Sequence, residues 1–147
     1  MESLKIGGQL NMLEIKNSDL VQTKSFLYEL KLKPKLSRHR TKLVKLIDEK
    51  IKDLSDASNE IIQQYAKKDE NGNPIINDNM VEFDSVENRI EFEKEDSILI
   101  NEVSKINLDE YPNIYNSIQL ALSELDVELD KEKAETYELL CELFKVE

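Results

Sequence analysis

The densest group of side chains able to bind charge lies between Lys31 and Lys45. It comprises Lys31, Lys33, Lys35, Arg38, His39, Arg40, Lys42 and Lys45, with no carboxylate among them. Arg38 and Lys42 stand four apart and so share one face of a helix, while a helix starting here adds exposed N–H donors; both features suit a phosphate or another acidic group. The competing reading is a solvated basic surface that attracts the acidic remainder of the chain. No aromatic ring interleaves the basic residues to stack on bases, which weighs against direct nucleic-acid binding.

A second group is acidic: Glu87, Glu91, Glu93, Glu95 and Asp96, followed at a distance by Glu128, Glu135 and Glu138. Rows of carboxylates offer oxygen anions as phosphates do and can occupy an Arg- and Lys-lined groove. Acidic helices also keep an elongated protein soluble.

Most other chemistry is excluded by counting. His39 is the single histidine and Cys141 the single cysteine, so zinc sites built from those ligands and intrachain disulfides are out. Cys141 has apolar and carboxylate neighbours and no nearby cation, as a packed thiol has. Asp69, Asn71 and Asn73 resemble the opening of a calcium loop, but position six is Pro74 instead of Gly and position twelve is Met80 instead of Glu. There is no glycine-rich phosphate loop and no nucleophile elbow. The expectation is a non-enzymatic protein with no metal and no cofactor.

Charge is unevenly laid out. The net charge is −11, yet residues 1–52 hold 12 of the 20 Lys and Arg against 6 of the 31 Asp and Glu. The first third is therefore basic and the remainder strongly acidic, which implies a molecule with a basic end and an acidic face. The lone cysteine fits a reducing compartment, and no stretch reaches the roughly 18 apolar residues of a membrane span. A cytoplasmic location follows as an expectation.

The elements that must position these groups are mainly helical. Residues 37–68 read as one long helix, with Val44, Ile47, Ile51, Leu54, Ser58, Ile61 and Tyr65 on one stripe. Pro34 and the Asn71-Gly72-Asn73-Pro74 turn are taken as its stoppers. Before it, Leu13 and Ile15 alternate with Glu14 and Lys16 as in a short strand, and Leu20, Val21, Phe26, Leu27 and Leu30 give a first helix to about Lys31. A small β-hairpin is expected near 74–83. A third helix, from Ser85 to about Lys105, opens on an Asp84/Glu87 capping box and carries Val86, Ile90, Ile98 and Leu99 as the stripe facing the long helix. Val103, Ile106 and Leu108 suggest a short extended piece. Two amphipathic helices follow, one begun by Pro112 with Ile114, Ile118, Ala121, Leu122 and Leu125 inward. The other is capped by Asp130, with Ala134, Tyr137, Leu140, Cys141 and Phe144 inward. The predicted fold is a mainly α helical bundle over 12–147, with residues 1–11 as a flexible extension.

Three stretches carry a resemblance: Leu13-Glu-Ile-Lys-Asn-Ser-Asp-Leu20, Leu32-Lys-Pro-Lys-Leu-Ser-Arg-His-Arg-Thr41 and Tyr65-Ala-Lys-Lys-Asp-Glu-Asn-Gly72. From Met12 onward the chain resembles a family of small uncharacterised proteins from phages and prophages of Gram-positive bacteria. The resemblance implies a phage setting and expression in the host cytosol, and it transfers no catalytic residues. The extension before Met12 departs from the pattern. Two functions are expected from this reading. One is a phage accessory protein that binds a phage or host protein in assembly or another late step, with self-association as a possible homo-oligomer. The other is an acidic, DNA-mimicking inhibitor of a host nucleic-acid enzyme or defence complex.

Overall fold

The computed structural model describes residues 12–147, so the expected extension over residues 1–11 lies outside the described residues. Strand β1 (Met12–Lys16) leads through a short 3-10 turn (Asn17–Asp19) into α1 (Leu20–Glu29) and then α2 (Pro34–Tyr65). A two-residue-per-strand hairpin, β2 (Ile76–Asn77) and β3 (Met80–Val81), precedes α3 (Val86–Asn101). Strand β4 (Val103–Asn107), α4 (Pro112–Ser123) and α5 (Lys131–Leu143) complete the chain. The protein is mainly α, organised around one long helix, as its periodicity implies.

Pro34 does not stop the long helix; it starts it. Proline at the first helical position loses nothing by lacking an N–H, since that donor has no partner in any helix, and its fixed φ suits the turn. The helix therefore begins three residues earlier than expected and spans about 48 Å at about 1.5 Å per residue. It ends at Tyr65, where Ala66 turns to extended backbone. The Asp69 side chain then takes over, accepting hydrogen bonds from the Asn71 and Asn73 amides at 2.8 and 3.0 Å. Gly72 supplies the left-handed conformation there at φ 82°. The β2–β3 turn has Asp78 and Asn79 at φ 52° and 63°, the paired positive values of a type I′ hairpin.

One apolar core joins both ends of the chain. Leu13 and Ile15 of β1, Leu20 and Leu27 of α1, Leu43 and Ile47 of α2, and Ile106 of β4 meet Ile118 and Leu122 of α4, Leu140 of α5 and Phe144, which caps α5. Antiparallel pairing of β1 with β4, from Met12 opposite Asn107 to Lys16 opposite Val103, ties the N-terminal strand to a segment some ninety residues later. Asn17 locks this junction: its amide donates to the Leu99 carbonyl at 2.8 Å and its Oδ1 accepts from the Ser104 hydroxyl at 2.5 Å.

Between Leu54 and Ile106 no residue belongs to that core. The second half of α2, the turn and hairpin, and α3 instead form an antiparallel helical arm. Its interior is thin: Phe83 and Phe92 rings lie 5.2 Å apart, and the Tyr65 hydroxyl donates to the Glu95 carboxylate. That bond, then burial and the negative charges of Glu95 and Glu91, push the Tyr65 phenol above its usual value.

Several expectations for α3 are corrected here. Its cap is Ser85, whose hydroxyl accepts the Asn88 amide at 3.1 Å, and the Asp84/Glu87 box does not form. The helix ends at Asn101 because Glu102 turns extended to enter β4. Its inward side is Asn88, Phe92, Glu95 and Leu99, so of the expected stripe Leu99 faces inward while Val86, Ile90 and Ile98 face solvent, each at least half exposed. The reason is that α3 carries apolar residues on both sides, and the aromatic Phe92, paired with Phe83, takes the inner one. Val21 of α1 and Ala134 of α5 are likewise exposed.

Candidate functional site

The basic residues lie on the first turns of α2, where each 100° step turns neighbours apart. Arg40 turns toward α1. Its guanidinium donates to the carbonyls of Leu27, Tyr28 and Leu30 at 2.7, 3.1 and 2.8 Å and lies 5.9 Å from the Tyr28 ring centroid. These carbonyls belong to the last turn of α1 and to its cap Leu30, where helical i+4 partners run out; that of Leu27 also accepts the Leu30 amide at 3.2 Å. Arg40 therefore caps α1 and is not available to a ligand.

Arg38, His39 and Lys42 turn the other way, toward the start of α4. With Glu110, Tyr111, Pro112, Asn113 and Ile114 they line a cleft of about 340 Å³. His39 Nδ1 is 2.5 Å from the buried Ser117 hydroxyl, which fixes the ring between α2 and α4. The Lys42 ammonium sits 4.6 Å above the Tyr111 ring, a cation–π contact that holds the side chain over the cleft wall. No side chain caps the α4 N-terminus. Lys35 lines an adjoining depression with Leu36 and Asn116, while Lys33 and Lys45 are exposed away from the cleft. The eight basic residues thus divide: Arg38, His39 and Lys42 line the cleft, Lys35 borders it, Arg40 is structural, Lys33 and Lys45 are solvated, and Lys31 is exposed between α1 and α2.

The α4 side of the cleft was not evident from sequence. Tyr111, Asn113 and Ser117 carry no motif, and only the packing of α4 on α2 brings them to the basic residues.

The acidic residues do not make one face. Glu87, Glu91, Glu93, Glu95 and Asp96 belong to α3, which packs on α2. Glu135 and Glu138 belong to α5, which packs on α1 and α4, and Glu128 lies in the loop before it. Glu95 is engaged by Tyr65, and Glu91 lies 3.8 Å from the Lys94 ammonium. Glu135 shares a cleft with Asp19 and Glu132, yet among the described residues no group of His, Cys, Asp or Glu is placed to hold a metal ion. Cys141 is buried. Among the described residues no helix is long and apolar enough to cross a membrane.

The third notable surface is apolar. Val86, Ile90 and Ile98 follow an i, i+4 ridge along the outer side of α3, interrupted only by Lys94, whose methylene stem can cover apolar surface. Ile100 and Val103 flank its C-terminal end, and Ile76 and Met80 are exposed at the hairpin. No family model, curated protein or solved structure matches this chain significantly.

Proposed function

We propose that the protein is a non-enzymatic binding protein whose helical arm docks another protein through the outward ridge of α3. The observation that carries this reading is the exposure of Val86, Ile90 and Ile98, at 60, 51 and 57 %, on a helix with no buried residue of its own. Isolated exposed apolar residues are ordinary, but a ridge of them on a projecting arm is the layout by which amphipathic helices meet grooves. The resemblance to phage and prophage proteins supports a cytoplasmic, phage-related setting and a phage or host protein as the partner. An acidic imitation of nucleic acid is supported less well, because it needs the carboxylates of α3 and α5 to act as one row.

Affinity purification from prophage-bearing Gram-positive cells tests the reading, with wild-type protein compared with a Val86→Ser, Ile90→Ser, Ile98→Ser variant. Each large side chain buried in a contact is worth about 1.5–3 kcal/mol, so the variant should lose its partner at least tenfold. Its unfolding free energy should stay within about 0.5 kcal/mol per site, since these side chains face solvent. Recovery of the same proteins in the same amounts by both forms would contradict the proposal.

A further inference from the structure

The cleft between α2 and α4 plays no part in docking through α3. Its walls come from two helices, and among the described residues neither Arg38 nor Lys42 forms an ion pair. We propose that this cleft binds a small polyhydroxy monophosphate, of the sugar-phosphate class. Arg38 presents a planar fork matched to two phosphate oxygens, and Lys42 adds a compact positive charge held in place by Tyr111. His39, clamped from behind by Ser117, forms part of the same wall.

Two features choose the ligand class. Glu110 and Asn113 both line the cleft; a carboxylate and an amide accept hydrogen bonds from hydroxyl groups, and the carboxylate repels a second anionic group. The volume of about 340 Å³ is at the small end of ligand pockets and suits one compact molecule. A nucleic-acid strand is disfavoured by the same Glu110 and by the net charge of −11, which repels a polyanion as it approaches.

Titration of the full chain with ribose 5-phosphate, inorganic phosphate and ribose, followed by calorimetry and by amide chemical shifts, tests this. Ribose 5-phosphate should bind and shift the amides of Asn113 and of residues 38–42, inorganic phosphate should bind the same residues more weakly, and ribose should not bind. Arg38→Gln with Lys42→Gln should weaken ribose 5-phosphate at least tenfold, the loss expected for a charge-assisted contact. Lys33→Gln, away from the cleft, should leave the affinity unchanged. If the double variant melts early, Arg38→Gln alone, at an exposed position, gives the same comparison. The proposal is overturned if ribose 5-phosphate does not bind the wild type, if its shifts map elsewhere, if the cleft variants bind it equally well, or if an oligonucleotide is bound in its place.

Discussion

Arg40 and Arg38 are two residues apart in a run of like charge, yet one caps α1 and the other lines a cleft. Composition reveals the run, and only the helical step separates the roles. Replacing Arg40 by Ala leaves three carbonyls at the end of α1 without their charged donor, and should cost about 2 kcal/mol in urea unfolding. Arg40→Lys should recover part of it, because all three carbonyls bond the single nitrogen Nη1, a role an ammonium with three N–H donors can share, while the Nη2 contact to Ser37 is lost. A loss below about 0.5 kcal/mol for Arg40→Ala would show that the contacts are decorative. Tyr65 gives a pH signature. Its folded phenol holds its proton more tightly than the unfolded one, so its contribution to stability is complete below about pH 10 and is lost as pH rises through the higher folded value. Tyr65→Phe should flatten that alkaline fall in the unfolding free energy; an unchanged alkaline limb would show that Tyr65 does not cause it.

At the scale of elements, α2 serves two structures. Its first half is fixed in the core by Leu43, Val44 and Ile47, with Ile51 and Leu54 packed against that core, whereas beyond Leu54 the helix lies outside the core and beside α3. Ile47→Ala should therefore cost about 3 kcal/mol by transfer and cavity terms, and Ile61→Ala, half-buried in the arm, about 1 kcal/mol. Equal costs in chemical denaturation would contradict the division into core and arm. The helices were legible because their periodic stripes and stop signals are local: Asp130 caps α5, as its position before the apolar run implies. The alternation of Leu13 and Ile15 marked β1 as well. Val103 and Ile106 mark the extended piece that is β4, but its pairing with β1 was not legible, since strand pairing across ninety residues leaves no local trace. Of the expected α3 stripe Leu99 does face inward, but Val86, Ile90 and Ile98 do not, because both sides of the helix offer apolar residues and the contact of Phe92 with Phe83 decides between them.

For the whole molecule, the charge asymmetry becomes geometry. The basic residues gather at the corner where α1, α2 and α4 meet, and the acidic ones spread over the arm and the C-terminal hairpin. Among the described residues one ion pair joins these two regions, Lys133 of α5 to Glu29 of α1 at 3.0 Å, with the cation on the acidic side; its hydrogen bond raises the Lys133 pKa, but it joins side chains about half exposed and adds little to stability. The fold is held instead by the shared core, and under the proposed function the arm is the part that meets a partner. Hydrogen exchange of the protein alone and bound to its co-purified partner tests that division most directly. Protection gained over residues 86–101 and the 76–81 hairpin, with the basic corner and α5 unchanged, is the expected result. Protection confined to α5 or to residues 33–45, with α3 exchanging as in the free protein, would contradict it.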